Sequence, residues 1–294
     1  MRAPIATLLL SAAAAAAWAA PQPVALFTFQ EERAPYASTG AEPYELLDGN
    51  SSHPIVTRAA RGAPFGARAA LFDAPASSNN SARLFAPRAA APGITRGIAG
   101  PSATVTIVAW VQLLAPVSGG PFVAGAWDEF GVEGGRTGAR QYALFINLAA
   151  CRSAPSFNGG AAAHISPVGG PTPGGPYCET AACDPRAVSP GSWQCLANAF
   201  DGQAIRAYVN GTLIANGDRN PFPLTGGIYD AERVGGFGAE FGVGLNRVNA
   251  SANGARDGFH WSNRFEGLLG GIAVYNESLS DADVAAACSM GAGF

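Results

Sequence analysis

The most constraining stretch of this chain is residues 193–216. An apolar run at 193–200 meets Asp201-Gly202, a second at 203–209 meets Asn210-Gly211, and a third begins at Thr212. Asp-Gly and Asn-Gly pairs suit two-residue hairpin turns of type I′, whose two central positions both need positive φ. A three-stranded antiparallel meander is the expected product. Other short extended runs fit the same pattern: residues 24–29 (VALFTF), 67–72, 82–86, 121–127, 140–149, 240–245 and 267–275. The clearest is 104–113 (TVTIVAWVQL), where Val105, Ile107, Ala109, Val111 and Leu113 recur at period two. Ser280 opens the one credible helix, with Asp283 placed to complete a capping box and Asp281 favouring the helix N-terminus. No internal repeat and no domain boundary is visible. The expected fold is all-β, a two-layer antiparallel β-sandwich with one short C-terminal helix.

Composition agrees with a loop-rich β protein. Only 13% of residues are charged while 48% are hydrophobic, too few charges for long solvated helices. The 38 glycines and 22 prolines supply turns. All 18 basic residues are arginine, so a phosphate-loop lysine and a Schiff-base lysine are both excluded. With a net charge of −3 and dispersed arginines, no basic patch for a nucleic-acid backbone exists, and nucleic acid is not an expected partner.

Residues 1–19 read as an export signal. Arg2 provides the positive start, an apolar Leu/Ala run follows, and Ala17-Trp18-Ala19 fits the small-x-small cleavage rule. The apolar run is short for a membrane span, and Pro21 and Pro23 follow at once. A secreted product with no membrane association after cleavage is expected. Export makes disulfides the natural role of Cys151, Cys178, Cys183, Cys195 and Cys288, with one thiol left over. Sequence does not choose the pairing, but at least two of the four cysteines between 151 and 195 are expected to staple that segment. Residues 151–192 are rich in Gly, Pro and Ser and read as a long loop, either functional or ornamental. Asn-x-Ser/Thr sequons at Asn50, Asn79, Asn210, Asn249 and Asn276 are weak marks of surface.

The order of the motifs carries a resemblance. VALFTF, TIVAWV and YALFIN come first, then W-x-C-L-A-N-A-F-D-G, R-A-Y-V-N-G and FGVG, and finally F-x-G-L-L-G-G-I-A-V-Y-N-x-S-L-S-D-A-D-V. Over residues 24–288 this resembles the laminin-G-like jelly-roll domains of the concanavalin A-like lectin/glucanase group. The resemblance implies two curved antiparallel sheets that bind glycans or other proteins, often with a structural calcium ion, and in a minority of members hydrolyse glycosides. The hydrolytic branch carries acids at alternate positions of one strand. The acid-containing stretch here, Trp127-Asp128-Glu129-Phe130-Gly131-Val132-Glu133, breaks that pattern. Non-catalytic carbohydrate recognition is therefore the expected role, a glycosidase or a protein-binding adhesive module being the alternatives.

Sugar binding needs aromatic faces beside planar polar groups. Two places offer both: Trp127, Asp128 and Glu129 at a strand end, and residues 257–264, with His260, Trp261, Asn263 and Arg264. Tyr177 in the Pro/Gly segment is a third candidate wall. Packing is the competing role for each aromatic, and Trp110 and Trp193 are expected in the core. Arg256 and Arg264 are suited to clamp a carboxylate or sulfate, or to pair with Asp257 and Glu266. His53, His164 and His260 read as loop histidines making ordinary hydrogen bonds. Asp48, Asn50, Asp128 and Glu129 are turn acids and amides available to calcium, but no dense acidic loop assigns them to it.

Overall fold

Alternation along single strands sets the architecture. The computed structural model describes residues 21–49, 53–73, 83–129, 138–154, 156–174, 178–234, 238–249 and 259–291. In chain order the strands are β1 (Ala25–Phe27), β2 (Tyr36–Thr39), β3 (Glu45–Asp48), β4 (Val56–Ala59), β5 (Arg68–Phe72), β6 (Leu84–Ala86) and β7 (Val105–Leu113). Then come β8 (Phe122–Asp128), β9 (Ala139–Ile146), β10 (Ala161–Ile165), β11 (Ala181–Cys183), β12 (Gln194–Phe200), β13 (Ala204–Val209), β14 (Thr212–Leu213) and β15 (Phe222–Pro223). β16 (Phe241–Val243), β17 (Asn246–Asn249), β18 (Phe259–Ser262) and β19 (Gly267–Tyr275) precede the helix α1 (Asp281–Cys288). The protein is all-β with one short helix, as the sequence leads one to expect. No helix among the described residues is long and apolar enough to cross a membrane.

Pairing between strands is antiparallel. In one ladder β19 lies between β7 on one edge and β5 and β1 on the other; β7 continues to β12 and β12 to β13. The other ladder runs β3–β6–β16–β8–β9–β10–β11. β2 pairs with both β1 and β3 and joins the two. Alternate residues from both ladders fill one core: Val105, Ile107, Ala109, Val111 and Leu113 of β7 share it with Tyr142, Leu144 and Ile146 of β9 and Ala161, Ala163 and Ile165 of β10.

The opposite faces are buried too. Val108, Trp110, Cys195, Ala197, Ala199 and Tyr208 lie beneath α1, which contributes Val284, Ala287 and Cys288. Ser280 caps that helix, its Oγ accepting the Asp283 N–H at 3.2 Å. Two disulfides form. Cys195–Cys288 ties the helix to β12, and Cys151–Cys183 staples the 151–192 segment, leaving Cys178 as a buried thiol. That segment departs from its expected form as a loop. Ala161–Ile165 adds to β9 and Ala181–Cys183 to β10. Alanine has low strand propensity in isolation. Here it fits because the layer is covered on both faces and small side chains are what the space admits.

The meander is present with one difference. Asn210 and Gly211 both have positive φ, 51° and 71°, as a type I′ turn requires. The Asp201-Gly202 corner is longer: Phe200 pairs with Ile205, and the Asp201 carboxylate accepts the Gln203 and Ala204 N–H groups at 2.8 Å. The aspartate is therefore turn-closing through its side chain and needs no positive φ.

Candidate functional site

A backbone irregularity shapes one cavity of the described residues. Along β9, Tyr142, Leu144 and Ile146 face the shared core, while Ala143 and Phe145 face outward. Regular alternation would send Arg140 inward. The β8–β9 register shifts instead, from Ala126↔Tyr142 to Trp127↔Arg140, leaving Gln141 as the extra residue of a bulge. Such a bulge re-aims the side chains beyond it, and Arg140 lands opposite Trp127 on the outer face. Gln141 turns its amide to the carbonyls of Thr95, Ile98 and Tyr229. Gly125 is needed beside the bulge. Its φ is +153°, and a Cβ there would lie 2.3 Å from the Tyr142 carbonyl oxygen.

On this outer face of β8, β9 and β10 lies a cavity of about 600 Å³, within the roughly 300–1,000 Å³ range of small-ligand sites. Trp127 and Phe145 form its aromatic wall with His164, whose ring lies 4.3 Å from the indole and 5.9 Å from Phe145 between centroids. Trp127 is only 4% exposed, so its indole is held as a wall and not offered as a free stacking face. Its Nε1–H donates to Glu129 Oε1 at 3.3 Å, and the same oxygen accepts Asn246 Nδ2 at 3.4 Å. Glu129 Oε2 stands 3.5 Å from Arg140 Nη2. Asn263, at the mouth, donates to Asn246 Oδ1 at 2.8 Å and so joins this network. The segment after β9 closes one rim with Arg152 and Ser153, and Cys178, Glu179 and Arg219 complete the lining.

His164 sits in β10, not in a loop. Its Nδ1 bonds to the Thr180 carbonyl at 2.8 Å, which fixes a neutral tautomer with Nδ1–H donating. Burial pushes its pKa down to about 4, and the nearby Arg140 charge lowers it further, while the Thr180 and Cys178 backbone bonds oppose the shift. A histidine whose folded pKa lies below its unfolded value near 6.5 contributes stability at pH above 6.5. That contribution falls as the pH drops from 6.5 to 4, because only the unfolded chain takes up the proton. The shift corresponds to about 3 kcal/mol. Urea unfolding at pH 7 and at pH 4.5 should show a loss of this order in the wild type. The loss should be smaller by about that amount in His164→Asn, which keeps a donor near the Nδ1 position. Equal losses in both proteins would refute the assignment.

The residues marked in the sequence separate as follows. Trp127, Glu129 and Asn263 line the cavity. Asp128 is buried and forms an ion pair with Arg247, away from the opening. Arg264 pairs with Glu266 and, with Asn263, lines a second cavity of about 340 Å³. His260 and Trp261 lie in β18, which pairs with β17; their side chains lie outside the description. Tyr177, Asn50 and residues 256–257 lie outside the described residues. Arg140, Arg152, His164, Cys178 and Arg219 were missed as site residues. Arg140 could have been found only from a bulge that has no sequence signature.

Asp48 Oδ2 accepts the Ile55 N–H at 2.9 Å, and Asp128 and Glu129 each face an arginine. Among the described residues no three His, Cys, Asp or Glu side chains converge as metal ligands.

No protein-family model and no curated protein matches the chain. Solved structures do match. The binding domain of botulinum neurotoxin DC in complex with rat synaptotagmin II aligns with a TM-score of 0.51 at 8% identity, over 92% of this chain and 52% of that one. The binding domain of Paraclostridial Mosquitocidal Protein 1 gives 0.50 at 9% identity, over 91% and 52%. Domain 4 of the GH43 extracellular arabinanase AbnA from Geobacillus stearothermophilus, in complex with arabinotriose, gives 0.48 at 14% identity, over 91% and 98%. This chain spans about half the length of the two toxin chains. At such identities the likeness is one of fold.

Proposed function

We propose that the chain is an exported, non-catalytic recognition module that binds an extracellular carbohydrate through the cavity on the outer face of β8, β9 and β10. In this reading the two ladders are the layers of a laminin-G-like jelly-roll sandwich; their shared core and the order of the sequence motifs support it. Two disulfides fit an oxidising compartment, which supports reading residues 1–19 as an export signal. The observation that carries the binding proposal is the convergence of Trp127, Glu129, Arg140 and Asn263 on one cavity. A largely aromatic wall with a few placed planar hydrogen-bonding groups at its mouth is the composition of a small-ligand site.

The test is a glycan array together with pull-down on insoluble polysaccharides. Retention is expected, and Asn263→Gly should weaken it several-fold. Asn263 has a φ of 55°, so glycine keeps the backbone while removing the amide. Retention of no glycan would overturn the proposal and leave a protein ligand as the competing class, the class bound in the botulinum neurotoxin DC complex. A second reading, glycoside hydrolysis, is favoured by one observation: Glu129 and Glu179 line the same cavity. Release of reducing ends from a retained glycan, abolished in Glu179→Gln, would establish it.

A further inference from the structure

We propose that this cavity is selective for a sugar acid, taking one ring carboxylate between Arg152 and Arg219. The inference rests on the carbohydrate reading above and names the ligand class. Formal charges in the lining are Arg140, Arg152 and Arg219 against Glu129 and Glu179, an excess of one positive charge with His164 neutral. Those charges divide into a satisfied interior and an unsatisfied rim. Inside, Arg140 Nη2 faces Glu129, and its Nη1 donates to the Gly169 carbonyl at 3.4 Å. Glu129 in turn has its acceptors occupied by Trp127 and Asn246. This group is a wall, already neutralised.

At the rim, Arg219 Nη2 donates to the neutral Ser153 hydroxyl at 3.2 Å, with its guanidinium 5.8 Å over the Phe222 ring. Arg152 is the residue before Ser153 and is exposed; its guanidinium makes no hydrogen bond or ion pair among the described residues. The Arg219–Ser153 bond brings Arg219 to the residue that follows Arg152, and both arginines line the cavity with one exposed acid, Glu179. Two positive charges on one cavity favour an anion placed between them. The edge is also held in place, since Cys151, next to Arg152, is bonded to Cys183 in β11. Planar guanidinium forks match a carboxylate in two parallel hydrogen bonds.

Neutral sugars lack this anchor. They also lack the usual substitute, because Trp127 is 4% exposed and presents no open ring face. The excess of one charge suits one carboxylate; a densely sulfated chain would bring further anions against Glu129 and Glu179.

The experiment uses an array carrying hexuronate-terminated and other sugar-acid-terminated oligosaccharides beside their methyl esters, which are neutral and nearly isosteric. Affinities of retained pairs are then measured by calorimetry. The acid is expected to bind at least tenfold more tightly than its ester. That preference should disappear in Arg152→Gln and in Arg219→Gln, and Glu179→Gln should strengthen acid binding. Unchanged melting temperatures in the three variants confirm that the comparison is of folded proteins. Equal binding of acid and ester, or preference for the ester, would overturn this inference and leave carbohydrate recognition standing. Retention of nothing would overturn both.

Discussion

Replacing Cys195 and Cys288 together by alanine is expected to lower unfolding stability by about 4 kcal/mol and the melting temperature by roughly 10 °C. The two cysteines are 93 residues apart, so the reduced chain regains the freedom of a very large loop when it unfolds. The bond also orders a local assembly. Cys288 ends α1, its carbonyl accepts the Trp110 Nε1–H at 3.0 Å, and Trp110 packs edge-on to Phe65 at 4.6 Å. Tyr208 donates to Asp281 at the start of the same helix. Without the covalent tie, an eight-residue helix is well below the length that is stable alone, and only these contacts retain it. The check is a thermal melt of the double variant beside the wild type under oxidising conditions. A change under 1 kcal/mol would show that packing, and not the crosslink, holds the helix down.

The second large effect is expected at Gly125. Gly125→Ala should destabilise the protein by at least about 3 kcal/mol, since φ +153° strains any L-residue and the new methyl would meet the paired strand's backbone. The Tyr142 oxygen at 2.3 Å and Ala143 Cα at 2.7 Å are main-chain atoms that cannot swing aside. Relief requires β8 and β9 to part where the bulge begins, which would also displace Arg140 and Trp127. Ligand binding should therefore fall with stability in this variant. By contrast, Gly202→Ala changes a position with open space around it and pays only for φ +86°, a penalty of about 1 kcal/mol. Denaturant titration of the two variants separates contact from conformation; equal losses would refute the close approach.

Much of the frame was legible because its signals are local. Asn210-Gly211, the Ser280 cap and the period-two run of β7 each fix geometry within a few residues. Strands β2, β3 and β4 were not foreseen; they are four residues each and carry charged or polar members that pairing alone makes extended. The alanine-rich β10 and β11 were hidden in a segment whose Gly and Pro content argues for a loop. The candidate site was legible where aromatics and planar polar groups lie close in sequence, at Trp127, Glu129 and Asn263. Arg140 arrives through a register shift and His164 through long-range strand pairing, and neither leaves a trace in local sequence.

The Cys195–Cys288 bond has a mechanical corollary. Tension applied to the chain beyond Cys288 passes straight across sulfur to Cys195 in β12, so the covalent path from Leu196 to Ala287 is bypassed. The handle is then a strand hydrogen-bonded on both edges, to β7 and to β13, and not the C-terminal helix. Reduction would move that handle to the helix end, where a chain under pull would peel α1 away before any ladder gave.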